Sequence, residues 1–285
     1  MKPRYLALMI GFNLLWGASF VIYKTVAPYL DSTQIVTVRF GIAALGALVI
    51  WPWLPGNAPR GWDLVKSMLL GVAVFVAGHR MQVLGNQLGT AANSAVLMAF
   101  EPVLTTVAAA IFLREQIAAR RWVGFALAVL GVLLLNRVWS ADFQWGSLAG
   151  SLLVIASFLA EAAYSIVGKP IIARANLMKV LAVALLTGTA VNLALNGPAT
   201  FSAARALPVS AWVSLTALGL IGTTAGYGVW FLVIRETDVN VVAMTVFIQP
   251  LAGVPLAALW LGEPLHAGQL WGGLAILAGL VLLAH

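Results

Sequence analysis

The 285-residue sequence has no cysteine, which excludes disulfides, thiolate metal sites and cysteine nucleophiles and leaves the redox compartment open. Charge is almost as scarce: Asp, Glu, Lys and Arg make up 9% of the chain, against roughly 25% in an ordinary soluble domain. There is no Gly-x-x-x-x-Gly-Lys-Ser/Thr phosphate loop, so ATP hydrolysis by that route is excluded. The histidines, His79, His266 and His285, are far apart and no His-Glu-x-x-His occurs, which argues against a zinc protease. A membrane aspartyl protease would need aspartates inside apolar runs, whereas Asp31, Asp63, Asp142 and Asp238 lie at or near run ends. An enzyme is therefore disfavoured, and no metal or cofactor is indicated.

What fills the chain is apolar surface: 62% of residues are hydrophobic and the mean hydropathy is +0.98. A helix needs roughly 20 apolar residues to cross hydrocarbon. Stretches at 5–26, 33–51, 62–84, 91–113, 122–136, 146–168, 177–196, 209–234, 239–261 and 269–284 read as ten such spans. Turn chemistry punctuates them, as in Pro52-Trp-Leu-Pro55-Gly56 and Asn196-Gly-Pro198. Met1-Lys-Pro-Arg4 before an apolar run superficially resembles a secretory signal, but the run is long enough to be a first membrane helix.

The formal charge of +7 forms no continuous basic stripe, so no nucleic-acid partner is indicated. Sorted by loop, the 16 Lys and Arg fall eleven to one side, three (Lys24, Arg137, Arg205) to the other, and two (Arg39, Arg80) within spans. The positive-inside rule then puts both termini in the cytoplasm. Trp51, Trp53, Trp62, Trp122, Trp139, Trp145, Trp212 and Trp260 cluster at span ends, as an aromatic belt would; Trp16 and Trp230 lie well inside spans.

An internal repeat runs through the chain at a spacing of 148 residues. It pairs Glu101-Pro102 with Gln249-Pro250, Leu70-Gly71 with Leu218-Gly219, Gly78 with Gly226, Leu113 with Leu261, Glu115 with Glu263, Gly124 with Gly272 and Gly131 with Gly279. Five spans are an odd number, so the second copy enters the membrane from the opposite side. The chain reads as an all-α integral membrane protein, ten transmembrane helices in two inverted-topology five-helix repeats, residues 1–139 and 140–285. Glu101 and Gln249 then fall near mid-depth beside the pseudo-two-fold axis, where inverted repeats hold substrates.

A strongly polar group in hydrocarbon costs at least ~2.5 kcal/mol on insertion scales, so each one needs a cavity or a partner. Asn13, Trp16, Phe20 and Lys24 share a face of the first span, and Ser157, Glu161, Tyr164 and Gly168 one of the sixth. Phe75, His79 and Gln82 lie in the third span, Asn93 and Glu101 in the fourth, Thr223, Tyr227 and Trp230 in the eighth, and Thr245 and Gln249 in the ninth. The functional reading is a central cavity with aromatic faces and edge donors from Trp16, His79, Tyr164, Tyr227 and Trp230. The bland reading is hydrogen-bonded helix glue at ~0.6 kcal/mol per contact. Asn13, Asn93 and Thr245 fit either reading equally, as does His79; Glu101 and Glu161 favour the cavity, while Arg39 and Arg80 read as structural partners of a carboxylate or of outer-leaflet carbonyls. Pro102 and Pro250 withhold hydrogen bonds from the carbonyls of Met98 and Val246 and are candidate hinges, or simply set packing angles.

Trp16-Gly17-Ala18-Ser19-Phe20, Arg39-Phe40, Glu101-Pro102 with Leu113-Arg114-Glu115, and Gln249-Pro250 with Leu261-Gly262-Glu263-Pro264 resemble the drug/metabolite transporter superfamily, in its EamA-type exporter branch. The likeness covers nearly the whole chain. Within that branch the aromatic set with Trp16, His79 and Tyr164 is similar to YddG-type aromatic amino acid exporters, though Glu161 stands where many relatives have tryptophan. The resemblance implies a bacterial inner-membrane exporter working by alternating access on a small molecule such as an amino acid. It would be a monomer in the lipid bilayer, with protons as a candidate coupling partner. An exporter of lipophilic cations is the alternative within transport; a receptor or lipid-modifying membrane enzyme is the alternative outside it.

Overall fold

In the computed structural model, the described residues are 1–88, 97–141, 147–261 and 267–284; within them the side chains of Phe20, Lys24, Asn86, Gln87, Val254, Ala257, Leu261, Leu283 and Ala284 are not described. Asn93, Glu263, Pro264 and His266 lie outside the described residues.

The described chain is all-helical. Its helices are α1 (Pro3–Val26), α2 (Ser32–Ile50), α3 (Trp62–Val72), α4 (His79–Leu88), α5 (Phe100–Phe112), α6 (Ala119–Asn136), α7 (Leu148–Ile172), α8 (Leu177–Ala204), α9 (Val209–Ala217), α10 (Gly226–Glu236), α11 (Val239–Ala243), α12 (Ile248–Leu261) and α13 (Ala267–Ala284). Eight stretches are long and apolar enough to cross a membrane, and two shorter apolar helices, Phe100–Phe112 and Ala267–Leu282, stand among them. Leucine, isoleucine and tryptophan side chains such as Leu45, Trp53, Trp62, Ile111, Trp260 and Leu259 point outward, as lipid solvent demands.

Two of the expected spans, the third and the eighth, carry a π-helix in place of continuous α-helix. Between α3 and α4 the segment Ala73–Gly78 is a π-helix, and between α9 and α10 so is Leu218–Ala225. A π turn strands carbonyls of the regular ladder, and polar side chains collect them. The Nδ1–H of His79 donates to Val74 O at 3.0 Å, and the Thr223 hydroxyl to Leu218 O at 3.0 Å. The seventh span breaks at Asn196-Gly-Pro198, as expected. The Asn196 backbone is non-helical (φ −147°, ψ 19°) and a second helical segment continues from there to Ala204, so α8 is two helices joined at a kink, with Pro198 in the first turn of the second. The ninth span is also interrupted, by a 3-10 turn at Met244–Phe247 between α11 and α12.

The most extensive helix pairings are α6 with α13, α2 with α8, α1 with α12, α4 with α7, and α3 with α8. Each joins a helix before residue 139 to one after residue 140, so the two segments interlock instead of standing apart. Glycine makes the tightest contact. A Cβ on Gly131 would lie 2.6 Å from Gly272 O, one on Gly272 2.5 Å from Gly131 O, and one on Gly279 2.7 Å from Gly124 O. The late residue of each helix meets the early residue of the other, so α6 and α13 cross antiparallel with backbones in contact.

Replacing Gly131 or Gly272 by valine should therefore destabilise the fold by about 1–3 kcal/mol through overpacking. Gly11→Ala, where a Cβ would meet nothing within 4 Å, should be neutral or slightly stabilising. Thermal unfolding in detergent, followed by tryptophan fluorescence, checks both; equal midpoints for Gly131→Val and Gly11→Ala would refute the close crossing.

Candidate functional site

A cavity of about 90 Å³ lies among α1, α2, α4, α5, α7, α10 and the 3-10/α12 junction, with room for several water molecules. Its wall contains Trp16, His79, Glu101, Glu161, Tyr164, Tyr227, Trp230 and Gln249 among the residues singled out from sequence. The wall is paired at the repeat spacing. Trp16 and Tyr164, His79 and Tyr227, Gln82 and Trp230, Met98 and Val246, Glu101 and Gln249 all line the cavity, and each pair is 148 residues apart.

The aromatic part is a connected cluster. Tyr164 stacks on Phe231 at 4.2 Å and 5°, and meets Tyr227 edge-on at 5.1 Å. Trp16 lies 5.9 Å from Tyr227 and 6.2 Å from Trp230, while His79 meets Phe40 edge-on at 4.7 Å. These rings present faces more than the edge donors expected. The Trp16 Nε1–H donates to Gly222 O at 2.7 Å, a carbonyl of the π segment, and the Trp230 Nε1–H to Ser165 Oγ at 2.9 Å. The Tyr227 hydroxyl donates to Glu161 Oε1 at 3.1 Å, and His79 Nδ1 stands 3.6 Å from the same oxygen. Thus His79 and Tyr227, the paired residues after the two π segments, both face Glu161. The exception is Tyr164, whose hydroxyl is buried with no hydrogen-bond partner among the described residues.

Asn13 does not line the cavity. Its amide donates to Met9 O at 2.8 Å and to Thr245 Oγ1 at 3.0 Å, and its carbonyl accepts from Gln249 Nε2 at 3.1 Å. It therefore ties α1 to the 3-10 break and holds a wall residue in place. The Phe20 side chain and all of Asn93 fall outside the described residues. Pro102 and Pro250 are each the third residue of their helix, just past an interruption; Met98 and Val246, four residues before them, both line the cavity, and Val246 O accepts from the Ile248 N–H.

Sequence reasoning overlooked Ser19, Tyr23, Thr105 and Ser165 on the wall, and read Arg39 as structural. On α1 the chosen stripe, 13-16-20-24, is rotated by one position from 16-19-23, the face toward the cavity. Both have helical spacing, so periodicity alone does not choose between them. Arg39 has no carboxylate partner among the described residues: its Nε–H donates to Thr223 Oγ1 at 3.0 Å and Nη1 to the Tyr23 hydroxyl. Arg80 is structural, but its partners are the Asn192 and Asn196 side-chain carbonyls of α8, at 2.9 and 2.6 Å, and neither a carboxylate nor lipid-side carbonyls.

Away from the cavity, Glu115 gathers three segments. Its carboxylate accepts from the Val239 and Asn240 backbone N–H groups at 2.8 and 3.0 Å, from Asn240 Nδ2 at 2.8 Å and from Lys169 Nζ at 2.9 Å. Arg114, with φ 56°, turns the chain so that this reach is possible. Burial pushes the Glu115 carboxyl up, but the Asn240, Lys169 and Val239 donors and the Lys169 charge outweigh it and hold the group below its ordinary 4.5. Among the described residues no His, Asp and Glu grouping forms a metal site.

The sequence model of the EamA-like transporter family matches residues 3–137 and again 148–284. A protein of Escherichia coli named "Probable amino-acid metabolite efflux pump" is 27% identical over 99% of this chain and 94% of its own. A "Probable terminal-alkyne amino-acid exporter" of Streptantibioticus cattleyicolor is 26% identical over 86% of this chain and 81% of its own. A solved crystal structure shares the fold, with a TM-score of 0.81 at 15% identity over 100% of this chain and 99% of that one.

Because the folded pKa of Glu115 lies below the unfolded one, its stabilisation is present above pH 4.5 and is lost as pH falls through the folded value. Glu115→Gln should cost about 1.5–3 kcal/mol at neutral pH, the range for hydrogen bonds to a charged group. The thermal unfolding curves of variant and wild type should converge on acidification below pH 4.5. A constant gap across that range would refute the assignment.

Proposed function

The chain belongs to the EamA-like transporter family, and on that premise we propose that it is a ten-helix secondary transporter that exports small amphipathic metabolites, amino acids including aromatic ones among them. The observation that carries this reading is the cavity wall built from five residue pairs at one spacing, combining aromatic faces with two half-buried carboxylates, Glu101 and Glu161. Two matches of one family model within the chain support duplication. The antiparallel crossing of α6 and α13, reciprocal at Gly131–Gly272 and Gly124–Gly279, supports an inverted relation between residues 1–139 and 140–285.

In this reading the substrate sits between the two halves, and alternating access comes from exchanging their conformations. Trp16, Tyr164, Tyr227 and Trp230 stack its apolar part; Glu101 and Glu161 meet its ammonium; His79 and Gln249 complete the polar wall. Asn13 acts through Gln249, and Phe20 and Asn93 remain assigned by their positions on the first and fourth spans. Pro102 and Pro250 hinge the broken fourth and ninth spans. Eleven basic residues on one side support cytoplasmic termini, and the efflux-pump relative supports a bacterial inner-membrane location. The transporter is proposed to act as a monomer, and titratable cavity residues make proton coupling part of the proposal.

A lipophilic-cation exporter is the second reading, favoured by the same two carboxylates among aromatic rings. Competition separates the two, since zwitterions inhibit an amino acid exporter and quaternary amines inhibit a cation exporter.

In proteoliposomes the wild type should give saturable flux of radiolabelled amino acids, and Trp16→Ala, His79→Ala, Tyr164→Ala and Glu161→Gln should each cut it at least about tenfold, the loss of about 1.4 kcal/mol. Circular dichroism should show the variants folded. Flux that survives all four changes would remove the cavity from transport, and flux that ignores an imposed pH gradient would assign facilitated diffusion.

A further inference from the structure

Among the described residues, Arg39 is the one Lys or Arg lining the cavity, and it is 4% exposed. A guanidinium at this depth ordinarily meets a carboxylate, because burying an unpaired charge is expensive. Here Glu101 and Glu161 share the cavity, yet neither pairs with it. Neutral groups hold it instead: Thr223 Oγ1 accepts from Nε, the Tyr23 hydroxyl accepts from Nη1, and the guanidinium carbon stands 5.2 Å from the Phe40 ring centroid. These anchors fix the plane of the fork and leave Nη2 with no partner among the described residues. On the other side, Glu161 is met by Tyr227, and His79 stands next to it. The cavity therefore carries one cationic pole and one anionic pole, each held in place and not cancelling the other. A second group also waits for a ligand: the buried, unpartnered hydroxyl of Tyr164.

We propose that Arg39 is the carboxylate anchor of this cavity, so that the site selects zwitterions over amines of the same shape. The substrate carboxylate docks on the free edge of the fork, its ammonium turns toward Glu161 and Glu101, and its side chain lies against the aromatic faces. Planar, bidentate recognition is what distinguishes arginine from lysine in this role. This inference rests on the transport reading above and names the group that sets its substrate class.

The test uses the full-length protein in detergent with three matched probes: L-phenylalanine, L-phenylalaninamide, which keeps ring and ammonium but lacks the carboxylate, and 3-phenylpropionate, which lacks the ammonium. Ligand-induced thermal stabilisation gives the affinities. Wild type should bind L-phenylalanine at least about tenfold more tightly than either analogue, as expected for one charge-assisted contact. Arg39→Gln should lose that preference by weakening L-phenylalanine at least about tenfold while leaving the amide unchanged. Tyr23→Phe, which frees the fork but keeps the charge, should weaken L-phenylalanine without affecting the amide, and serves if Arg39→Gln does not fold. Equal weakening of L-phenylalanine and its amide, or a wild type indifferent to the carboxylate, overturns the anchor while leaving transport standing. A wild type that binds no probe and moves no amino acid in liposomes overturns the transport reading and this one together.

Discussion

Hydrocarbon offers no hydrogen bonds, so every polar group that leaves the regular helix ladder must be met from within the protein. The polar side chains of this chain are largely committed to that task. Trp16 covers Gly222 O, His79 covers Val74 O, Thr223 covers Leu218 O, and Asn192 covers Phe75 O. Several of these carbonyls belong to the two π segments, whose cost is tolerable because a side chain stands ready beside each. His79, Tyr227 and Trp230, which follow the two π segments, line the cavity. The irregular backbone and the polar site are thus one arrangement: the first exists where the second satisfies it.

Much of this could be read from composition and spacing. Span positions follow from the thickness of the bilayer, and the 148-residue repeat identifies Glu101 with Gln249 before any coordinate is seen. The same spacing also relates His79 to Tyr227 and Trp16 to Tyr164 on the cavity wall. Three features were hidden, for separate reasons. The π segments at Ala73–Gly78 and Leu218–Ala225 leave no compositional mark, being as apolar as their surroundings. The face of α1 toward the cavity is ambiguous in sequence because two adjacent stripes, 13-16-20 and 16-19-23, both have helical spacing. Arg39 was assigned a structural role because burial normally calls for a carboxylate, and a sequence does not reveal that Thr223 and Tyr23 take that place.

Glycine and aromatic residues divide the remaining labour. Where helices slide closest, as at Gly131 against Gly272 and Gly71 against Ala184, a Cβ would strike backbone oxygen at 2.6 and 2.1 Å. Such contacts depend on small residues, because apolar bulk gains nothing over lipid in driving helices together. Around the cavity the opposite holds: Tyr164, Phe231, Phe75 and Tyr227 fill the space with rigid rings whose edges and faces fix one another. Rigid walls with few rotatable bonds lower the ordering cost of holding a ligand.

The proposed equivalence of the two halves gives the clearest account of where chemistry and scaffold part. Positions that set backbone approach stay the same across the spacing: Gly71 and Gly219, Gly78 and Gly226, Gly124 and Gly272, Gly131 and Gly279, Pro102 and Pro250. Positions that face the cavity differ in kind: Glu101 against Gln249, His79 against Tyr227, Trp16 against Tyr164. Asn13 and Glu161 are the sharpest case, one an amide spent on tying helices and the other a carboxylate turned to the cavity. A frame whose halves exchange conformations must keep their packing alike, or the two end states would differ too much in free energy. A zwitterion has no such symmetry. Its two charges require different partners, so the wall can serve it only if the repeated positions diverge in charge while the backbone beneath them does not.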